Sequence, residues 1–194
     1  MKTSGIKTTD TVKTLSLFIN GCLWDPYFFP SYTPKEMLDM GVFGGTYLNS
    51  VREAFPKEWF SGDRVLPPGK SPDPSLNFYG VSSGLPLSEW KRKGWILSDR
   101  LGWFQWYCNY YIGRRLGEDE AQIKRWRQFC ARHSAQIHKS PEQPRLRQKQ
   151  ALLHWAYNWR DKFTECREKN LDHMISSQDK TIYKKDYVFS LNQQ

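Results

Sequence analysis

Four cysteines are all that this 194-residue chain contains, and no two of them form a Cys-x-x-Cys pair. Cys22, Cys108, Cys130 and Cys166 are scattered through the chain, a pattern that suits neither a zinc ribbon nor a disulfide frame. It predicts reduced, buried thiols in a cytoplasmic protein. Long apolar runs are missing as well. The stretch Leu15-Ser-Leu-Phe-Ile19 is too short and too interrupted for a signal peptide or a membrane span, so no membrane partner is expected. There is no internal repeat and no low-complexity tract.

What the chain does have is aromatic residues and positive charge. Aromatics make up 15% and charged residues 25%, a globular composition rather than a disordered one. The length fits a single domain with a respectable core, expected over residues 11–194 behind a flexible N-terminus at 1–10. The net charge of +9 is unevenly distributed. Residues 91–169 hold 18 Lys and Arg against 8 Asp and Glu, whereas the rest of the chain holds 11 against 12. The excess lies in one contiguous basic region with helical patterning, which favours a polyanionic partner, nucleic acid and DNA above all. The competing explanation is a solvated basic helical surface.

The patterning predicts a mostly α protein: one helical domain with a small β-sheet formed by N- and C-terminal strands. β-branched and apolar residues at 11–19, ending at Asn20-Gly21, predict a strand, and the tail at 181–191 is its expected partner. Thr33-Pro-Lys-Glu36 has the form of a capping box, opening a short helix that stops at Gly41. A second short helix is expected over 48–55. The prolines at 67, 68, 72 and 74 exclude a regular element from 61–77. Ser88 is expected to cap one helical turn ending at Gly94. Three longer helices follow: 99–116 with Asp99 as N-cap, 118–137, and a third opened by Ser140-Pro-Glu-Gln143 and reaching about residue 169. In the second, Ile123, Trp126, Cys130, His133 and Ile137 form one stripe. In the third, Leu146, Leu153, Tyr157 and Phe163 should point inward.

The densest chemistry lies at 90–127, which holds five of the nine tryptophans, along with Phe104, Tyr107, Tyr110 and Tyr111. Its centre reads Gly102-Trp-Phe-Gln-Trp-Tyr-Cys-Asn-Tyr-Tyr-Ile-Gly-Arg-Arg115. Aromatic faces beside cations can stack bases and neutralise phosphates together. Trp103, Trp106, Tyr107 and Tyr47 are therefore candidate base-binding residues. Arg114, Arg115, Lys124, Arg125, Arg127, Arg145 and Arg147 are candidate phosphate contacts. A helix apolar nearly all round is ordinarily buried, and that alternative accounts for most of these rings, though not for the choice of Trp and Tyr.

Weaker signals surround this centre. Gly41-Val-Phe-Gly-Gly-Thr-Tyr47 would let backbone approach a phosphate closely, but it has no Walker lysine or dinucleotide fingerprint, and tight chain packing explains it better. Trp24-Asp-Pro-Tyr27 is similar to the Asp-Pro-Tyr motif of uracil-DNA glycosylases over three residues only, and no His-Pro-Ser motif follows. Tyr111-Ile-Gly113 lacks the partner half of a GIY-YIG nuclease motif. Cys130-x-x-His133 lacks a second ligand pair, the zinc-deaminase signature is missing, and no Ser or Cys nucleophile has an identifiable base partner. No metal and no cofactor are expected.

Taken together, Val42-Phe-Gly-Gly-Thr-Tyr47, Gly102-Trp-Phe-Gln-Trp-Tyr-Cys108, Gly113-Arg-Arg115 and Gln122-Ile-Lys-Arg-Trp126 resemble a little-studied family of small proteins of phages, bacteria and plants. The resemblance covers about residues 30–160 and implies one shared fold. The family is associated with enzymes acting on modified pyrimidines in DNA, glycosylases among them. The leading expectation is thus a DNA glycosylase that extrudes a modified pyrimidine, such as glucosylated hydroxymethylcytosine. Asp99, Asp25 or Asp39 would then stabilise the oxocarbenium ion or activate water. A non-catalytic nucleic-acid-binding module and a protein-interaction factor in phage–host conflict are the alternatives.

Overall fold

Thr33 starts the first helix by reciprocal capping. Its hydroxyl accepts the Glu36 N–H at 3.2 Å, while the Glu36 carboxylate accepts the Thr33 N–H at 2.8 Å. Helix α1, Pro34–Met40, buries Met37 and Leu38 and stops at Gly41, whose φ of +87° is open to glycine. This computed structural model describes residues 17–19, 22–25 and 27–161. Its other helices are α2 (Leu87–Arg92), α3 (Trp103–Tyr111), α4 (Asp119–His138) and α5 (Leu146–His154). The described residues are thus mostly helical. Strands β1 (Leu17–Ile19) and β2 (Cys22–Trp24) form a local antiparallel hairpin with Leu17 opposite Trp24. The strand expected at 181–191, and with it the expected pairing of the two ends, lies outside the described residues.

Between α1 and α2 the chain runs through short 3-10 turns at Phe43–Gly45, Asn49–Ala54, Lys57–Phe60 and Pro74–Leu76. The helix expected over 48–55 is one of these, kinked at Val51. The proline-rich segment is ordered because it folds back on the glycine loop. Leu66 N–H donates to the Gly45 carbonyl at 2.9 Å, Asp73 N–H to Gly44 at 3.0 Å and Phe78 N–H to Gly41 at 3.0 Å. A Cβ on Gly41 would stand 2.0 Å from the Leu76 carbonyl oxygen. The glycines therefore admit the protein's own backbone, not a phosphate.

Helix α3 is the centre of the core. Trp103, Phe104, Trp106, Tyr107, Cys108 and Tyr110 are all buried on it. Phe28 inserts its ring among Trp103, Trp106, Tyr107, Tyr110 and Trp126, with centroids 5.1–6.2 Å away. Such edge-to-face packing adds roughly 0.5–1.5 kcal/mol per pair beyond area burial. The polar tips explain why these rings are Trp and Tyr. Trp106 Nε1 donates to Asp119 Oδ1 at 2.8 Å, tying α3 to the start of α4. Tyr107 donates to the Tyr32 carbonyl at 2.7 Å, and Trp126 to that of Trp155 at 2.7 Å. These three tips each meet an acceptor that burial would otherwise leave unpaired, a main-chain carbonyl or the Asp119 carboxylate, whereas the buried Trp103 Nε1 meets none among the described residues.

Several element boundaries differ from the sequence expectation. Gly102, not Asp99, precedes α3, and the helix stops at Tyr111, where the Arg114 N–H turns back to the Asn109 carbonyl and Gly113 takes φ +105°. Pro86, not Ser88, precedes α2. The Ser140 box caps nothing: Pro144 removes an N–H and disfavours helical backbone before it, so α5 begins only after Arg145, itself at φ +40°. That helix closes at His154. Leu146 is exposed, against expectation, while Leu153 and Tyr157 are buried. Phe163 lies outside the described residues.

Candidate nucleic-acid interface

Helix α4 divides cleanly into two faces. Gln122, Ile123, Trp126, Cys130, Ser134 and Ile137 are buried on one side. Lys124, Arg127, Arg132 and Lys139 are exposed on the other, together with Gln128 and His138. At about 1.5 Å per residue this basic face extends over roughly 22 Å. Asp119 and Glu120 sit in the first turn, where they complement the helix dipole, and no acidic residue follows until Glu142. Among the described residues the ion pairs are Lys35–Asp39, Arg92–Glu89 and Arg114–Asp99, so no cation of this face is neutralised by one.

The loop after β2 meets this face. The Arg127 guanidinium lies 5.1 Å from the centre of the Tyr27 ring, and Tyr27 is 53% exposed. Asp25 shapes the loop, its carboxylate accepting the Tyr27 N–H at 2.7 Å. The Asp25 N–H in turn donates to the Tyr110 hydroxyl at 3.0 Å, which fixes the loop to α3. Arg115 stacks 3.6 Å over Tyr110 and donates to the carbonyls of Tyr110 and Arg114. An exposed tyrosine, a guanidinium and a row of cations thus share one surface.

The other sequence candidates serve the fold. Trp103, Trp106 and Tyr107 are at most 2% exposed, so no face of theirs is open to a base. They were candidates because the sequence shows ring type but not which neighbours cover the ring. Tyr47 stacks on Phe43 at 4.1 Å, and burial raises its phenol well above the ordinary range. Asp99 is 3% exposed and accepts both guanidinium nitrogens of Arg114 as well as Asn109 Nδ2. This closes the loop before α3 onto the turn after it. Asp39 pairs with Lys35 one helical turn away, and its second oxygen is buried against Gly62. Arg125 donates to the Trp95 carbonyl at 2.9 Å, and burial lowers its pKa. Arg145 forms the left-handed entry to α5, and Arg147 is exposed just inside it. The structure therefore brings Arg127 and Asp25 to one surface with Lys124 beside them, and leaves Asp39 and Asp99 apart from it.

Sequence reasoning missed Tyr27, Arg132 and Lys139. A helical projection of residues 119–139 holds the signal for the two cations, since both lie opposite the Trp126 stripe. Cys108 and Cys130 are buried. Among the described residues no three His, Cys, Asp or Glu converge as a metal site, and no helix is long and apolar enough to cross a membrane.

The chain matches no protein-family model, and no curated protein and no solved structure is significantly similar to it.

Proposed function

We propose that this protein binds nucleic acid through the exposed face of α4 and the Tyr27 loop. The observation that carries this reading is the acid-free row Lys124, Arg127, Arg132 and Lys139. Cations without carboxylate partners are available to displace counterions from phosphates. Tyr27 beside Arg127 adds a ring that can stack on a base or sugar. Binding of a labelled DNA duplex and a labelled single strand, titrated against salt, tests this. Log affinity should fall linearly with log salt concentration, and the Lys124→Gln/Arg132→Gln variant should flatten the slope by about two. An unchanged slope would remove α4 from the interface.

A narrower reading keeps the glycosylase suggested by the family resemblance. Asp25 favours it, being the one candidate carboxylate that borders this surface. The test incubates plain DNA and DNA carrying glucosylated hydroxymethylcytosine with the protein, then assays for free base and abasic sites. Release that disappears in Asp25→Asn while DNA affinity survives would establish an enzyme. Binding without release leaves a non-catalytic module.

A further inference from the structure

A second aromatic and cationic surface lies away from the residues used above, where α5 meets the loop at 78–79. Lys149 Nζ sits 4.0 Å and the Arg160 guanidinium 4.7 Å from the centre of the Trp159 ring. Trp159 Nε1 donates to the Tyr79 hydroxyl at 2.7 Å, so that hydroxyl keeps its own proton to donate outward. Tyr32 lines the same cleft. Burial, with Tyr79 nearby, pushes its phenol up to about 12, so it too remains a donor at neutral pH. Phe78 stands at the rim, 47% exposed, with its ring edge-on to Tyr79 at 4.9 Å. The neighbouring carboxylate, Asp161, is turned to the Ser31 hydroxyl at 3.2 Å.

These groups offer donors and positive charge to a ligand and present it with flat apolar rings. That chemistry selects an anion attached to a planar group. Two sources supply it: a free nucleotide or an unpaired nucleotide of a strand. Size decides between them. The enclosed part of the cleft is about 30 Å³, room for a single water, whereas pockets that engulf a free small molecule measure roughly 300–1,000 Å³. A ligand must therefore lie across the mouth, held by stacking and by charge. Strands are held on surfaces this way, with neighbouring nucleotides supplying the remaining affinity.

We infer that the Phe78–Trp159 cleft is a subsite for one unpaired nucleotide of single-stranded nucleic acid, its base against Phe78 and its phosphate between Lys149 and Arg160. The inference rests on the nucleic-acid reading and deepens it, adding a preference for single strands that the α4 face alone does not carry. Phe78 is flanked by Tyr79 and by the Arg64 guanidinium, 6.0 Å from its ring centre, and the 47% of it left exposed is the surface a base would cover.

The test measures binding of a 12-nucleotide single strand, the matching duplex and a mononucleotide to the full chain. Wild type, Phe78→Ala and Lys149→Gln/Arg160→Gln are compared, with the α4 variant Lys124→Gln/Arg132→Gln as a control. Because Phe78 is half exposed, its substitution should leave folding intact, which circular dichroism verifies. The expected result is a loss of about tenfold or more in single-strand affinity for each cleft variant, little change for the duplex, and negligible binding of the mononucleotide. Ultraviolet crosslinking of the single strand should mark the peptide carrying Phe78 and Tyr79. Unchanged single-strand affinity in both variants, with Lys124→Gln/Arg132→Gln still weakened, would overturn the subsite and leave the α4 reading intact. Mononucleotide affinity equal to that of the strand would overturn the strand assignment. If wild type binds none of the three probes, the nucleic-acid reading falls and the subsite with it.

Discussion

Asp99 and Arg114 are joined across the two ends of α3, the carboxylate buried and the guanidinium reaching it with both terminal nitrogens. The pair fastens the turn after the helix to the loop before it. Removing the carboxylate leaves Asn109 Nδ2 and the Arg114 guanidinium, whose side chain is 32% exposed, without their acceptor, at a cost of about 1–3 kcal/mol. Asp99→Ala should therefore lower the denaturant midpoint substantially, and any loss of activity should follow the loss of folded protein. A variant with normal stability and no activity would instead make Asp99 catalytic.

His154 ties stability to pH. Its Nε2 accepts the Phe43 N–H at 3.3 Å and lies 3.0 Å from Gln150 Nε2, so the ring carries its proton on Nδ1. Burial lowers its pKa from 6.5 to about 3. Between those values the unfolded chain takes up a proton that the folded chain refuses. The contribution is thus complete above about pH 6.5 and is lost as pH falls toward 3, by up to about 1.4 kcal/mol per pH unit. Denaturation of wild type and His154→Gln at pH 7 and pH 4.5 checks the sign: wild type should lose more between the two. Equal losses would show that the ring titrates normally in the fold.

Gly41→Ala should be among the most damaging single-methyl changes in the chain. The left-handed backbone at φ +87° alone costs about 1–3 kcal/mol for a residue with a Cβ, and that atom would meet the Leu76 carbonyl at 2.0 Å. Gly69, at the same φ, has nothing within 4 Å of an added methyl. Gly69→Ala should consequently carry the backbone cost without the clash. Thermal denaturation of the two variants separates these terms, and equal melting temperatures would exclude tight packing as the purpose of the glycine loop.

Arg115→Ala and Lys124→Ala should behave differently although both residues are candidate phosphate contacts. Arg115 holds two carbonyls at the end of α3 and covers the Tyr110 ring, so its loss should destabilise the fold by about 1–2 kcal/mol. Lys124 is exposed, and its loss should leave the melting temperature unchanged while reducing the salt dependence of DNA binding by about one unit. Paired melting and binding curves distinguish the two roles. A destabilised Lys124→Ala protein would contradict the assignment of that face to solvent.

Local signals that act within a turn of helix were legible in advance. Thr33 and Glu36 named their helix start because both capping bonds are made inside four residues, and Pro67, Pro68, Pro72 and Pro74 excluded regular structure by chemistry alone. The amphipathic stripe of α4 was legible for the same reason, a period of 3.6 being written directly in residue order. Ser140 and Gln143 misled because the same local pattern was cancelled by Pro144. The candidate site was legible only in part. Arg127 and Lys124 came from charge density, whereas Tyr27 joins them only through the fold, which lays the loop after β2 over α4.

The sequence by itself determined a basic, aromatic-rich helical protein, since composition and periodicity depend on residue order alone. Tertiary structure decided what each ring and each charge is for. Trp106 and Tyr27 are both aromatic residues, yet one is sealed with its Nε1 on Asp119 and the other stands in solvent beneath Arg127. Asp25 and Asp99 are likewise both aspartates beside aromatic segments, separated by which partner reaches them. Burial and pairing are set by groups far apart in the chain, and those distances close only on folding.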